Sequence, residues 1–119
     1  MPFLSMMPQQ LENFRTMESE GTIVILYVIK FNRDGGREIF EQYEKNLMPL
    51  VNAKGGRVLY KGSFLNTMIG RGMWDRVMLV EYPSRSAYLE LMGSDAFLHE
   101  DYLRIEAVED MRMFCLQAD

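Results

Sequence analysis

Residues 22–31 read Thr-Ile-Val-Ile-Leu-Tyr-Val-Ile-Lys-Phe. A run this rich in β-branched and aromatic residues favours an extended strand. Side chains alternate across a strand, so Ile23, Ile25, Tyr27, Ile29 and Phe31 point one way and Val24, Leu26 and Val28 the other. Both sets are apolar, and such a strand needs cover on both faces. The pattern recurs near the C-terminus. Val77 and Leu79 oppose Met78, Val80 and Tyr82, and Met111, Met113 and Cys115 oppose Phe114 and Leu116. A chain of 119 residues is one domain long, so its own helices can cover one face at most.

The helices are legible from their periodicity. Over residues 37–54, Ile39, Phe40, Tyr43, Leu47, Leu50 and Val51 form one stripe, with Arg37, Glu38, Glu41, Glu44 and Lys45 opposite. Pro49 should loosen the last turn, and Gly55-Gly56 supplies a left-handed stop. A second strand runs from Arg57 to about Ile69, with Gly62 as its expected bulge. After the Gly70-Arg71-Gly72 turn a third strand spans Asp75 to Tyr82. Ser84 caps a helix over 85–92 and Gly93 closes it. Ser94 or Asp95 starts another helical piece to about Ala107, and residues 110–117 form the fourth strand. Ahead of these, Leu11, Phe14 and Met17 or Glu18 mark a short helical arm over 9–19, with Pro8 at its first position and Gly21 at its end. The expected division is an arm over 1–21 and one domain over 22–119.

The order β–α–β–β–α–β is the split βαβ arrangement of ferredoxin-like domains, an α+β fold with a four-stranded antiparallel sheet. Four strands ~4.8 Å apart and ~20 Å long present a free face of roughly 400 Å². A patch of that size is seldom left bare, and a second copy is the expected cover, giving a homodimeric α/β barrel.

Composition excludes several classes of function. The net charge is −4, which argues against nucleic acid as partner. Charge is uneven: residues 84–110 carry net −5 and residues 55–83 net +2. The apolar run Ile23–Ile29 is too short to span a bilayer, and no basic leader precedes Arg15, so a cytoplasmic protein without a membrane partner is expected. One Cys, Cys115, reads as a buried small hydrophobe, and one His, His99, as an exposed helical residue. With no His/Cys cluster and no phosphate loop, no metal, flavin or nucleotide cofactor is expected. The 11 methionines read as adaptable core or interface filler.

The chain also resembles a known family. The segments that carry the resemblance are Ile25–Phe31, Tyr43, Gly55-Gly56-Arg57-Val58-Leu59, Gly62, Ile69-Gly70, Trp74-Asp75, Val80-Glu81-Tyr82-Pro83-Ser84-Arg85, Met92, Arg104 and Glu109-Asp110. Together they look like the domain of unknown function 1330 family in its longer form with an N-terminal arm, over about residues 20–119. The resemblance implies the dimeric α/β-barrel superfamily, whose subunits pair through their sheets. Tyr27 stands where that longer form usually has Asn, which implies a different ligand if the Asn helps form a site.

The candidate site residues are Tyr27, Tyr60, Trp74, Asp75, Arg76, Tyr82, Arg104 and Arg112. Tyr27, Phe31, Tyr60, Tyr82 and Phe114 read as one aromatic-lined sheet face, with Arg76 and Arg112 among the basic residues able to hold a small carboxylate. Trp74 is expected at the sheet edge or dimer rim. Asp75 is expected to pair with a basic group such as Arg104 or to cap backbone donors. The leading function is the binding of a small organic molecule in the cleft between sheet and helices. A cofactor-independent oxygenase or isomerase, by analogy with superfamily relatives, is one alternative; a structural dimer with no ligand is another.

Overall fold

The computed structural model describes residues 5–18 and 21–119. In chain order the elements are α1 (Pro8–Thr16), β1 (Ile23–Phe31), α2 (Gly36–Ala53), β2 (Arg57–Ser63), β3 (Arg76–Tyr82), α3 (Arg85–Gly93), α4 (Asp95–Ala107) and β4 (Val108–Leu116). The strands form one antiparallel sheet in the order β2-β3-β1-β4. This is the ferredoxin-like arrangement, with β1 and β3 central. The helices cover one face. Of the arm expected over 1–21, residues 1–4 and 19–20 lie outside the described residues, and α1 ends at Thr16.

Sequence chemistry accounts for the boundaries. The Ser84 hydroxyl accepts from the Ala87 N–H at 3.0 Å, and the Ser94 hydroxyl from the Phe97 N–H at 3.2 Å, so each helix start has a satisfied donor. Gly55 takes φ +78°, which lets the Gly56 N–H return to the Val51 carbonyl at 2.9 Å and end α2. Pro49 stays within α2, which continues one turn beyond it to Ala53.

The register confirms the face assignment within β1, β3 and β4. Ile25 lies opposite Val80 and Cys115, and Tyr27 opposite Met78 and Met113, so the odd-numbered β1 residues face the helices. Ile23, Ile25, Ile29, Met78, Val80 and Tyr82 pack there against Phe40, Tyr43, Leu47 and Val51 of α2. Each fully buried large side chain of this set contributes about 1.5–3 kcal/mol. On the opposite face Val24, Leu26, Val28, Val77 and Leu79 are only half-buried, Tyr60, Phe114 and Leu116 are exposed, and the core helices lie on the other side.

Three expectations need correction. The second strand stops at Ser63 rather than Ile69, because the chain leaves the ladder as a loop whose Phe64 N–H donates to the Asp75 carbonyl at 3.0 Å. The bulge is at Leu59, where the register shifts between Val58 and Tyr60, and not at Gly62. Gly62 instead lies under the Tyr60 ring, whose hydroxyl would meet an added Cβ at 2.3 Å. The aromatic residues therefore do not share one face: Tyr27, Phe31 and Tyr82 face the helices, while Tyr60 and Phe114 face the bare side.

Among the described residues, no helix is long and apolar enough to cross a membrane.

Candidate functional site

Four phenols converge between sheet and helices. Tyr27 comes from β1, Tyr82 from the end of β3, Tyr43 from α2 and Tyr88 from α3. Strand alternation places Tyr27 and Tyr82 on the helix side, and the stripe of α2 places Tyr43 above them. The Tyr82 and Tyr88 rings lie 4.9 Å apart at 62°, and Phe14 of α1 meets Tyr88 edge-on at 5.7 Å. Arg104 of α4 borders the group. It donates to Asp101 through two nitrogens, at 2.8 and 3.1 Å, a bidentate pair set by their i,i+3 spacing on one helix.

Electrostatics make this cluster a neutral one. Burial pushes the Tyr27 phenol well above its ordinary value, and Tyr88, Tyr82 and Tyr43 push the same way. Burial likewise raises Tyr43, against the pull of Arg104, and raises Tyr88. It raises Tyr82 against a hydrogen bond with Tyr27. Burial opposes the charge of Arg104, but the bond to Asp101, its negative charge and the nearby Tyr43 and Tyr88 together outweigh it and hold the guanidinium above the ordinary value. The site thus offers hydrogen-bonding hydroxyls and a neutralised cation, and no tyrosinate at neutral pH.

At one flank of the cluster the neighbouring strand is exposed. Opposite Tyr27, Met113 of β4 is 38% exposed, and Cys115 beyond it is exposed too. This corrects the expectation of a buried Cys115: the helices stop short of the C-terminal half of β4. Neighbouring side chains still desolvate the thiol enough to raise it, against the pull of Arg85, so it stays protonated. Arg85 also donates to the Met17 carbonyl, which ties the end of the arm to the start of α3.

The other candidate residues lie elsewhere. Arg76 is on the helix side but pairs with Glu44 and, at 3.6 Å, with Glu41, its guanidinium 5.4 Å from the Phe31 ring centroid. Arg112 and Tyr60 are on the bare face, and the Arg112 guanidinium stacks on Trp74 at 5.3 Å. Asp75 does not meet Arg104. Its carboxylate accepts from the Phe31 N–H at 2.8 Å, so it caps a backbone donor where β1 ends. It also borders an open polar depression of about 330 Å³ formed with Phe31, Asn32, Arg33, Gly36, Arg37 and Glu38. Of the eight candidates, Tyr27, Tyr82 and Arg104 come together at the phenol cluster, and Trp74 and Arg112 meet separately. Tyr43 and Tyr88 were missed as site residues because their helical spacing is that of ordinary core positions. Among the described residues, no group of three or more His, Cys, Asp or Glu is placed to hold a metal ion.

The fold defines a class: a ferredoxin-like α+β domain. A dabb family protein from Mesorhizobium loti has this fold at TM-score 0.61 and 12% identity, over 83% of this chain and 98% of its own. A dimeric protein of unknown function from Bacteroides fragilis has it at TM-score 0.59 and 9% identity, over 82% and 96%. The family is more specific. Residues 25–118 match the domain of unknown function DUF1330, and the chain belongs to that family. A protein of unknown function from Rhodopseudomonas palustris is similar over 100% of this chain and 98% of its own, at 26% identity and TM-score 0.92. No match is found among proteins with curated descriptions.

Proposed function

We propose that the protein is a homodimer that binds a small, largely apolar, uncharged organic molecule on the helix side of each sheet. The observation that carries this reading is the exposure of Met113 and Cys115 on β4, the strand beside Tyr27, at the flank of four phenols kept neutral by burial. A pocket with mostly apolar walls and a few convergent hydroxyls orients a carbonyl or phenol group by hydrogen bonding. Arg104 is already matched by Asp101, so a ligand carboxylate would have to displace a bidentate partner. The ligand class is therefore neutral, such as an aromatic ketone or quinone. Binding is preferred over oxygenase or isomerase chemistry because proton abstraction needs a base, and the cluster presents protonated phenols and a protonated thiol. The dimer reading rests on the bare sheet face and on the dimeric relative from Bacteroides fragilis.

The test is a thermal-shift and fluorescence titration with a panel of neutral aromatic ketones and quinones. A compound that binds should lose about tenfold in affinity in Tyr27→Phe and keep it in Tyr60→Phe. Equal affinity in the wild type and Tyr27→Phe would place the ligand elsewhere. No binding across the panel would leave a structural dimer as the better reading.

A further inference from the structure

The loop between β2 and β3, residues 64–75, reads Phe-Leu-Asn-Thr-Met-Ile-Gly-Arg-Gly-Met-Trp-Asp. It is tied at its base. The Phe64 N–H donates to the Asp75 carbonyl, the Asp75 N–H donates to the Ile29 carbonyl at 2.8 Å, and the Thr67 hydroxyl donates to the Gly72 carbonyl. Its tip is apolar and bare: Leu65 is 88% exposed, Met68 85% and Ile69 96%, with Met73 also exposed. A connection with no partner is normally polar, and a cluster of this kind marks a contact surface.

We propose that this loop is a clasp, packing its apolar tip onto a second copy of the chain beside the bare sheet face; this rests on the dimer reading given above. Continuity is the first argument. Arg112 lies opposite Val28 in the register, so it belongs to the bare face, and its guanidinium stacks on Trp74 at 5.3 Å. The loop's root is thereby fixed on the face where the second copy docks. Area is the second argument. The sheet alone presents roughly 400 Å², about half of the ~800 Å² per partner of a stable interface. Large apolar side chains add roughly 60–120 Å² each when covered, so four of them supply most of the difference. A two-fold axis repeats the contact, with the loop of each copy resting on the other. Charge argues against a lipid surface as the occupant. The loop has one cation, Arg71, balanced by Asp75, on a chain of net −4.

Sedimentation velocity across a dilution series tests this with the wild type, Met68→Ser/Ile69→Ser in the loop and Leu79→Lys on the sheet face. Both variants should weaken the dimer by at least about 100-fold. The loop variant should keep the monomer's circular dichroism, since its side chains are bare in the single chain. Amide exchange over 65–73 should be slow in the dimer and fast on dilution. A loop variant that dimerises as the wild type does, while Leu79→Lys is monomeric, would overturn the clasp and leave the dimer standing. A wild type that is monomeric at every concentration would overturn both. Binding of the wild type to phosphatidylcholine vesicles, lost in the loop variant with dimerisation unchanged, would assign the loop to a lipid surface and overturn the clasp.

Discussion

Arg76→Met separates a structural cation from a ligand-binding one. The Arg76 side chain is 9% exposed and its partner Glu44 12%. Burial pushes the Glu44 carboxyl above its ordinary value, and Arg76, then Lys61, pull it back. Without Arg76, Glu44 is left with Lys61 at 3.8 Å, a lysine half in water. Breaking a buried pair from one side costs about 3–5 kcal/mol, and the solvated lysine puts the expected loss near the lower end. That is a large share of a total stability of about 5–15 kcal/mol. The pH dependence has a definite sign. A carboxyl raised on folding contributes stability that is present below its unfolded value, near 4.5, and lost as pH rises through the folded value. Removing Arg76 raises Glu44 further, so the deficit should be greatest at neutral pH and shrink as pH falls toward 4.5. Urea unfolding followed by circular dichroism at neutral and acidic pH measures it. The double variant Arg76→Met/Glu44→Leu should recover most of the loss. A deficit below about 1 kcal/mol, the range of an exposed pair, would refute the reasoning. So would a deficit that does not change with pH, or one the double variant fails to repair.

Asp75→Ala should cost about 1–3 kcal/mol in urea unfolding, because the Phe31 N–H loses its acceptor at the end of β1; unchanged stability would mean that water replaces the carboxylate. In an ultraviolet difference titration, Tyr27, Tyr43, Tyr82 and Tyr88 should stay neutral until the chain unfolds, since burial raises all four. Groups raised on folding hold stability below their unfolded value, near 10, so stability should fall as pH climbs past it. Ionisation of these phenols in the folded protein would contradict this. Trp74→Ala should cost the monomer no more than about 3 kcal/mol, because the half-buried ring loses part of its apolar cover and the stacked Arg112, and should weaken the dimer more. A larger loss in the monomer would show that the ring packs in the core.

Much of the fold is legible in the sequence because strands and helices are local periodicities. Ile23 to Phe31 alternate with period two, Ile39 to Val51 recur at helical spacing, and Ser84 and Ser94 stand where helices begin. The candidate site was legible only in part. Tyr27 and Tyr82 are strand residues on a face the alternation assigns. Tyr60 looked equivalent until the bulge at Leu59, one extra residue against β3, turned its ring to the other side. Nothing local in the sequence marks that insertion.

What the sequence determined by itself is the order of elements, the central strands that need cover on both faces, and the helices that provide it on one. Tertiary structure alone decided which polar groups meet. Tyr43 and Tyr88 join Tyr27 and Tyr82 because α2 and α3 lie across the same part of the sheet, though their positions in the chain say only that they are core. Asp75 meets a backbone N–H 44 residues away rather than a cation. Periodicity is a property of neighbours along the chain and survives in the sequence. The pairing of side chains brought together by packing depends on how far each helix extends over the sheet, and that distance is set in three dimensions.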